Sequence, residues 1–123
     1  MRKKILTFIQ NLRALEHRRG RLLDQLLVDA PLLMAGLSRV LRTCGKATCH
    51  CARKPGHVVW VLATREGSQP RCQVVRQADV TTIRQRVEAY RAFRAALREL
   101  EAIHRRQKVL LRGLMKGCNV KYK

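Results

Sequence analysis

The sequence predicts a mainly α fold with a small β-hairpin, in which two long helices form an antiparallel helical pair joined by a zinc-knuckle-like loop and the hairpin. Three observations predict it. Ile5, Phe8, Leu12, Leu15, Leu22 and Leu26 recur at alternating steps of three and four, broken only at Arg19, which is the seam of an amphipathic helix. A longer seam follows Asp79, with Ile83, Tyr90, Phe93, Leu97, Leu100, Leu111 and Leu114 at heptad a and d positions and Arg86, His104 and Gln107 as polar exceptions. Between the seams, Val58-Val-Trp-Val-Leu62 carries strand-forming side chains, Arg71 to Val75 alternates polar and apolar, and Glu66-Gly67-Ser68 supplies a turn.

Taken in order, the chain reads as a single domain over 1–123. A helix over 1–30 is stopped by Pro31, because the residue before a proline is pushed out of the helical region. Residues 31–43 form a linker or short helix, 44–57 a Cys/His knot and 58–76 the hairpin. Two strands alone are marginal in water and need the knot or the helices behind them. Asp79 is placed to cap the long basic helix over 79–115, and 116–123 form a basic tail. The apolar face of that helix pairs with the first helix or, alternatively, with a second copy in a homo-oligomer.

Charge narrows the function. The chain has 27 Lys plus Arg against 8 Asp plus Glu, a formal charge of +19 spread along its length. Arginine outnumbers lysine, and the guanidinium fork matches phosphate oxygens two at a time. Nucleic acid, DNA or RNA, is the expected partner; a solvated basic surface without a specific partner is the plainer alternative. No apolar run reaches the length of a membrane span, so no membrane is expected as partner. The start, Met1-Arg-Lys-Lys-Ile-Leu-Thr-Phe8, lacks the apolar core of a signal peptide. A cytoplasmic setting with reduced thiols is therefore expected, where clustered cysteines serve metal or redox chemistry more often than disulfides.

Cys44, Cys49, Cys51 and His57 fall within fourteen residues. Three thiolates and an imidazole suit a tetrahedral metal, and zinc is the expected cofactor. His50 and Cys72 are spare ligands, while Cys118 is a bystander. A cluster of reduced thiols and a redox site are the alternatives. A shell of three cysteines and one histidine is closed, leaving no position for an activated water, so the site is structural. The few, scattered acids and the lack of a Gly-rich phosphate loop also point to a non-enzymatic protein.

On the second helix Arg84, Arg91, Arg98, Arg105 and Arg112 recur every seven residues. They project from nearly one side, about 10 Å apart along the axis, near enough to engage one phosphate backbone together. Arg94 and Lys108 extend the charge beside them, and Lys46, His50, Arg53 and Lys54 in the knot are placed for base contacts. A merely solvated helix face is the plain alternative. Phosphate binding by an accessory protein is the function expected. The alternatives are an adaptor docking on a larger recombinase or nuclease and a thiol redox sensor.

The run Arg42-Thr-Cys-Gly-Lys-Ala-Thr-Cys-His-Cys-Ala52, then Gly56-His57, a hairpin and the helical Val87-Glu-Ala-Tyr-Arg-Ala-Phe-Arg-Ala-Ala-Leu-Arg-Glu-Leu100, resembles a family of small, uncharacterised bacterial proteins. That family has a Cys-Gly-Lys-x-x-Cys-x-Cys motif, a Gly-x-x-His element and a Tyr-x-x-Phe helix. The resemblance implies association with mobile genetic elements and brings no established activity. Where the family often has Gly-Pro-Tyr after the histidine this chain has Val58-Val59-Trp60, and Gln73-Val74-Val75 replaces Tyr-Val-Pro. With one aromatic left on the hairpin, Trp60 is expected to anchor the core rather than to stack bases.

Overall fold

The computed structural model describes residues 2–42, 45–48 and 56–122. Its elements are α1 (Arg2–Leu26), β1 (Gly36–Arg42), β2 (His57–Glu66), β3 (Gln69–Val75), a single 3-10 turn at Gln77–Asp79 and α2 (Val80–Gly117). They group into two compact units: residues 30–91, and residues up to Asp29 together with those from Ala92 onward.

The fold is a mixture of helix and sheet, which corrects the expectation of a mainly α chain with a two-stranded hairpin. The sheet has three antiparallel strands in the order β1-β2-β3. The strand missing from the sequence reading is β1, within the stretch read as a linker or short helix. Leu33, Leu37, Val40 and Leu41 fall at helical steps, but pairing with β2, from Gly36 opposite Ala63 to Arg42 opposite His57, decides the conformation. Those partners lie 15 to 27 residues away in sequence, and strand formation is governed by such contacts more than by local preference. β2 and β3 are joined at Gly67-Ser68, where Glu66 pairs with Gln69. Gly67 has φ +62 and no non-glycine residue described has positive φ, the pattern of a type II′ turn with glycine first.

Leu37, Trp60, Leu62 and Val75 project from one face of the sheet, since Leu37 pairs with Leu62 and Trp60 with Val75. They pack with Val80, Ile83 and Val87 from the first turns of α2 and with Leu33 and Ala35. The approach to β1 is tied to the helix by the Leu33 N–H, which donates to the Arg86 carbonyl at 3.0 Å.

In the other unit α1 and the later part of α2 meet in opposite directions. Ile5 approaches Gly117 and Phe8 approaches Gly113, the Gln107 amide donates to Glu16 at 2.9 Å, and Leu22 clusters with Ala96 and Ile103. One heptad phase counted from Ile83 does not describe α2. Its buried residues are Val80 and Val87 in the sheet unit and Ala96, Ile103 and Leu110 in the helical unit. Each row keeps a seven-residue step, but the step from Val87 to Ala96 is nine. Phe93, Leu97 and Leu111, assigned by that count to the seam, are exposed instead.

Close approach at Gly113 is a matter of backbone: a Cβ there would lie 2.9 Å from Phe8 Cζ, whereas one at Gly20 meets nothing within 4 Å. Gly113→Leu is expected to lower the unfolding free energy by about 1–3 kcal/mol through overpacking. Gly20→Ala is expected to raise it by about 0.5–1 kcal/mol, because helical glycine is entropically costly. Urea midpoints at unchanged slope measure both.

Candidate nucleic-acid interface and metal loop

The Cys-rich segment is the connection between β1 and β2. Arg42 and His57 are the last register pair, so the strands bring the two ends of the segment together, with paired Cα atoms about 4.5–5.5 Å apart. His57 is the first residue of β2 and is half-buried. Lys46, after Gly45, is exposed. Cys44, Cys49, His50, Cys51, Arg53 and Lys54 lie outside the described residues. Among the described residues no group of three or more Cys, His, Asp or Glu converges. Cys72 pairs with Ala63 near the turn end of the sheet and is exposed. Ala63 is six steps along β2 from His57, about 20 Å at about 3.4 Å per residue, so Cys72 and His57 lie toward opposite ends of β2. Cys118 is likewise an exposed free thiol, just beyond α2.

The seven-spaced arginines divide by surroundings. Arg84, in the sheet unit, lays its guanidinium over the Trp60 ring at 4.8 Å from the centroid, and Trp60 packs against the core. Sequence could not show this pair, because Arg84 fits the heptad row and its ring partner comes from a distant strand. Arg91 is exposed in the same unit. In the helical unit Arg98, Arg105 and Arg112 are exposed, as are Arg94 and Lys108. No carboxylate of the described residues pairs with Arg91, Arg98, Arg105 or Arg112.

Three of the acids form ion pairs elsewhere. Arg18 donates to Glu99, Arg19 to Glu16 at 3.1 Å and Arg71 to Glu66 at 2.7 Å. These exposed pairs contribute little stability, but they place negative charge beside cations of α1 and β3. Arg18 also lines, with Arg21, Leu22, Gln25 and Glu99, an open cleft of about 250 Å³. The side of α2 that carries Arg98, Arg105 and Arg112 also carries exposed Glu101, one acid against three arginines.

The fold and charge together define a small, strongly basic protein with a helical pair, a three-stranded sheet and a Cys-bearing loop between paired strands. A family profile described as Domain of unknown function (DUF6788) matches residues 12–85, and the chain belongs to that family. The matched span takes in most of α1, the whole sheet with its loop and the first turn of α2. No curated protein and no solved structure matches the chain. Among the described residues no helix is long and apolar enough to cross a membrane.

Trp60 is the one tryptophan of the chain, so its emission reports the sheet unit alone. Arg84→Gln is expected to cost about 0.5–1 kcal/mol, the size of an exposed cation–π contact, and to shift the native emission. Denaturation followed by that fluorescence measures both effects.

Proposed function

We propose that this protein is a non-enzymatic nucleic-acid-binding accessory protein that holds DNA or structured RNA through the basic side of α2 and a zinc-stabilised loop. The observation that supports this reading is the row Arg98, Arg105 and Arg112, exposed on one side of a helix with no carboxylate partner among the described residues. A row of guanidiniums about 10 Å apart suits successive phosphates, which supply affinity without sequence information. Arg94 and Lys108 add charge beside it, and Arg91 offers a further phosphate contact from the sheet unit. Lys46, His50, Arg53 and Lys54 belong to the loop and are assigned to base edges.

In this reading zinc is held by Cys44, Cys49, Cys51 and His57. The antiparallel pair Arg42 and His57 at the base of the loop favours it, because it confines the donors to one short closed segment. Such a closed shell supplies folding energy rather than chemistry. The resemblance to mobile-element proteins favours action beside a larger enzyme of such an element.

Replacing Arg98, Arg105 and Arg112 by Gln is expected to weaken binding and to flatten the log–log salt slope by roughly two to three on duplex DNA, at about 0.9 per phosphate contact. Replacing Arg18, Arg19 and Arg21 is expected to do less, since Arg18 and Arg19 already face Glu99 and Glu16. Equal losses from both triplets would mean a diffuse basic surface. Elemental analysis is expected to find about one zinc per chain, and chelation to lower hydrogen-exchange protection in β1 and β2 first. Unchanged protection would refute a structural metal.

A further inference from the structure

Within the helical unit α2 has a second apolar stripe that α1 leaves open. Phe93, Leu97, Leu111 and Met115 are 37%, 40%, 52% and 67% exposed. At about 100° per residue Phe93 and Leu111 project in the same direction, with Leu97 and Met115 about 40° further round. The stripe therefore runs along the helix rather than scattering around it. Ala96, Ile103 and Leu110, the row buried in this unit, lie about 60–100° to one side of Phe93. Arg98, Arg105 and Arg112 lie about 100–140° to the other side. The open stripe thus has the helix's buried row along one border and, along the other, an arginine row without carboxylate partners among the described residues, with exposed Lys108 and the single acid Glu101 between row and stripe.

We propose that this stripe is the docking seam for an acidic amphipathic helix of a partner protein, which lies along α2 as a third helix. Apolar side chains at Phe93, Leu97, Leu111 and Met115 take the partner's apolar edge, while Arg98, Arg105 and Arg112 pair with carboxylates beside it. Charge selects this occupant over a second copy of the chain. A copy laid antiparallel along the same stripe would bring like arginine rows together, and in either direction two chains of formal charge +19 repel. Shape selects it over an anionic bilayer. The stripe is narrow and interrupted by His104 and Lys108, both exposed, whereas a helix lying in a membrane interface presents a continuous apolar face. The proposal goes beyond phosphate binding and holds without it, because the carboxylates of a protein helix are sufficient ligands for the row.

The test uses the full chain without nucleic acid and two labelled synthetic helical peptides. Both carry Leu at a and d; one has Glu at e and g, the other Lys. Fluorescence anisotropy at low salt is expected to show the Glu peptide binding at least tenfold more tightly than its Lys twin. Leu97→Asp with Leu111→Asp is expected to weaken that binding at least tenfold with unchanged helical circular dichroism, since both side chains are already exposed. The milder Leu97→Gln with Leu111→Gln keeps the test valid should the aspartates disturb the helix. Failure of the Glu peptide to bind would overturn the proposal, as would equal binding of the two peptides or undiminished binding by the glutamine variant. A concentration-dependent dimer that the glutamine variant abolishes would assign the stripe to a second copy. Capture by phosphatidylserine vesicles, lost in the same variant while the Glu peptide stays unbound, would assign it to a membrane.

Discussion

The pairing of β1 with β2 is the constraint on which the sheet unit depends. It makes Trp60 to Ala63 part of a central strand, paired on both sides, and so gives the first turns of α2 a surface wide enough to cover. Without it β2 and β3 would be a lone hairpin of marginal stability. The same pairing places Arg42 opposite His57 and turns the segment between them from a linker into a closed loop. Closing such a loop costs entropy that grows only slowly with length, and the ladder between the strands offsets it. A metal in the loop and the ladder beneath it would then reinforce each other.

Electrostatics divides the surface more finely than the total charge suggests. With eight acids against 27 basic residues, which cations are neutralised is a question of placement. Glu16 and Glu99 face arginines of α1, and Glu66 faces Arg71 on β3. Arg98, Arg105 and Arg112 on one side of α2 are left without such a pair among the described residues, although exposed Glu101 lies one turn from Arg98 and Arg105. Arg84 is a separate case: its charge sits over an aromatic face, so its position is fixed by packing as much as by any anion.

Local pattern was a good guide where the physics is local. The steps of three and four from Ile5 to Leu26 mark the less exposed face of α1, with Leu22 buried and Ile5, Phe8, Leu12 and Leu15 partly so. The turn at Gly67 was legible because few residues other than glycine accept a positive φ. β1 was not legible, since Leu33, Leu37, Val40 and Leu41 satisfy a helical period and only a distant strand overrides it. The phase of α2 was hidden for a related reason. A heptad count assumes one partner, and this helix buries one row against the sheet and another within the helical pair. Of the candidate site, the seven-residue spacing of the arginines was readable directly. The stacking of Arg84 on Trp60 and the distance of Cys72 from His57 both depend on strand register, which no spacing in the sequence encodes.

The three-stranded sheet ends on either side in a strand with one unpaired edge among the described residues. Such edges invite sheet-to-sheet addition. Here β3 carries Pro70 and Arg71, and β1 carries Arg39 and Arg42. Proline removes a donor from one edge, but arginine protects only while its repulsion reaches a neighbouring molecule. That range falls from about 30 Å at 0.01 M salt to about 8 Å at 0.15 M. Colloidal behaviour is thereby tied to charge: the ionic strength or polyanion that quiets these arginines also uncovers the hydrogen-bonding edges of the sheet.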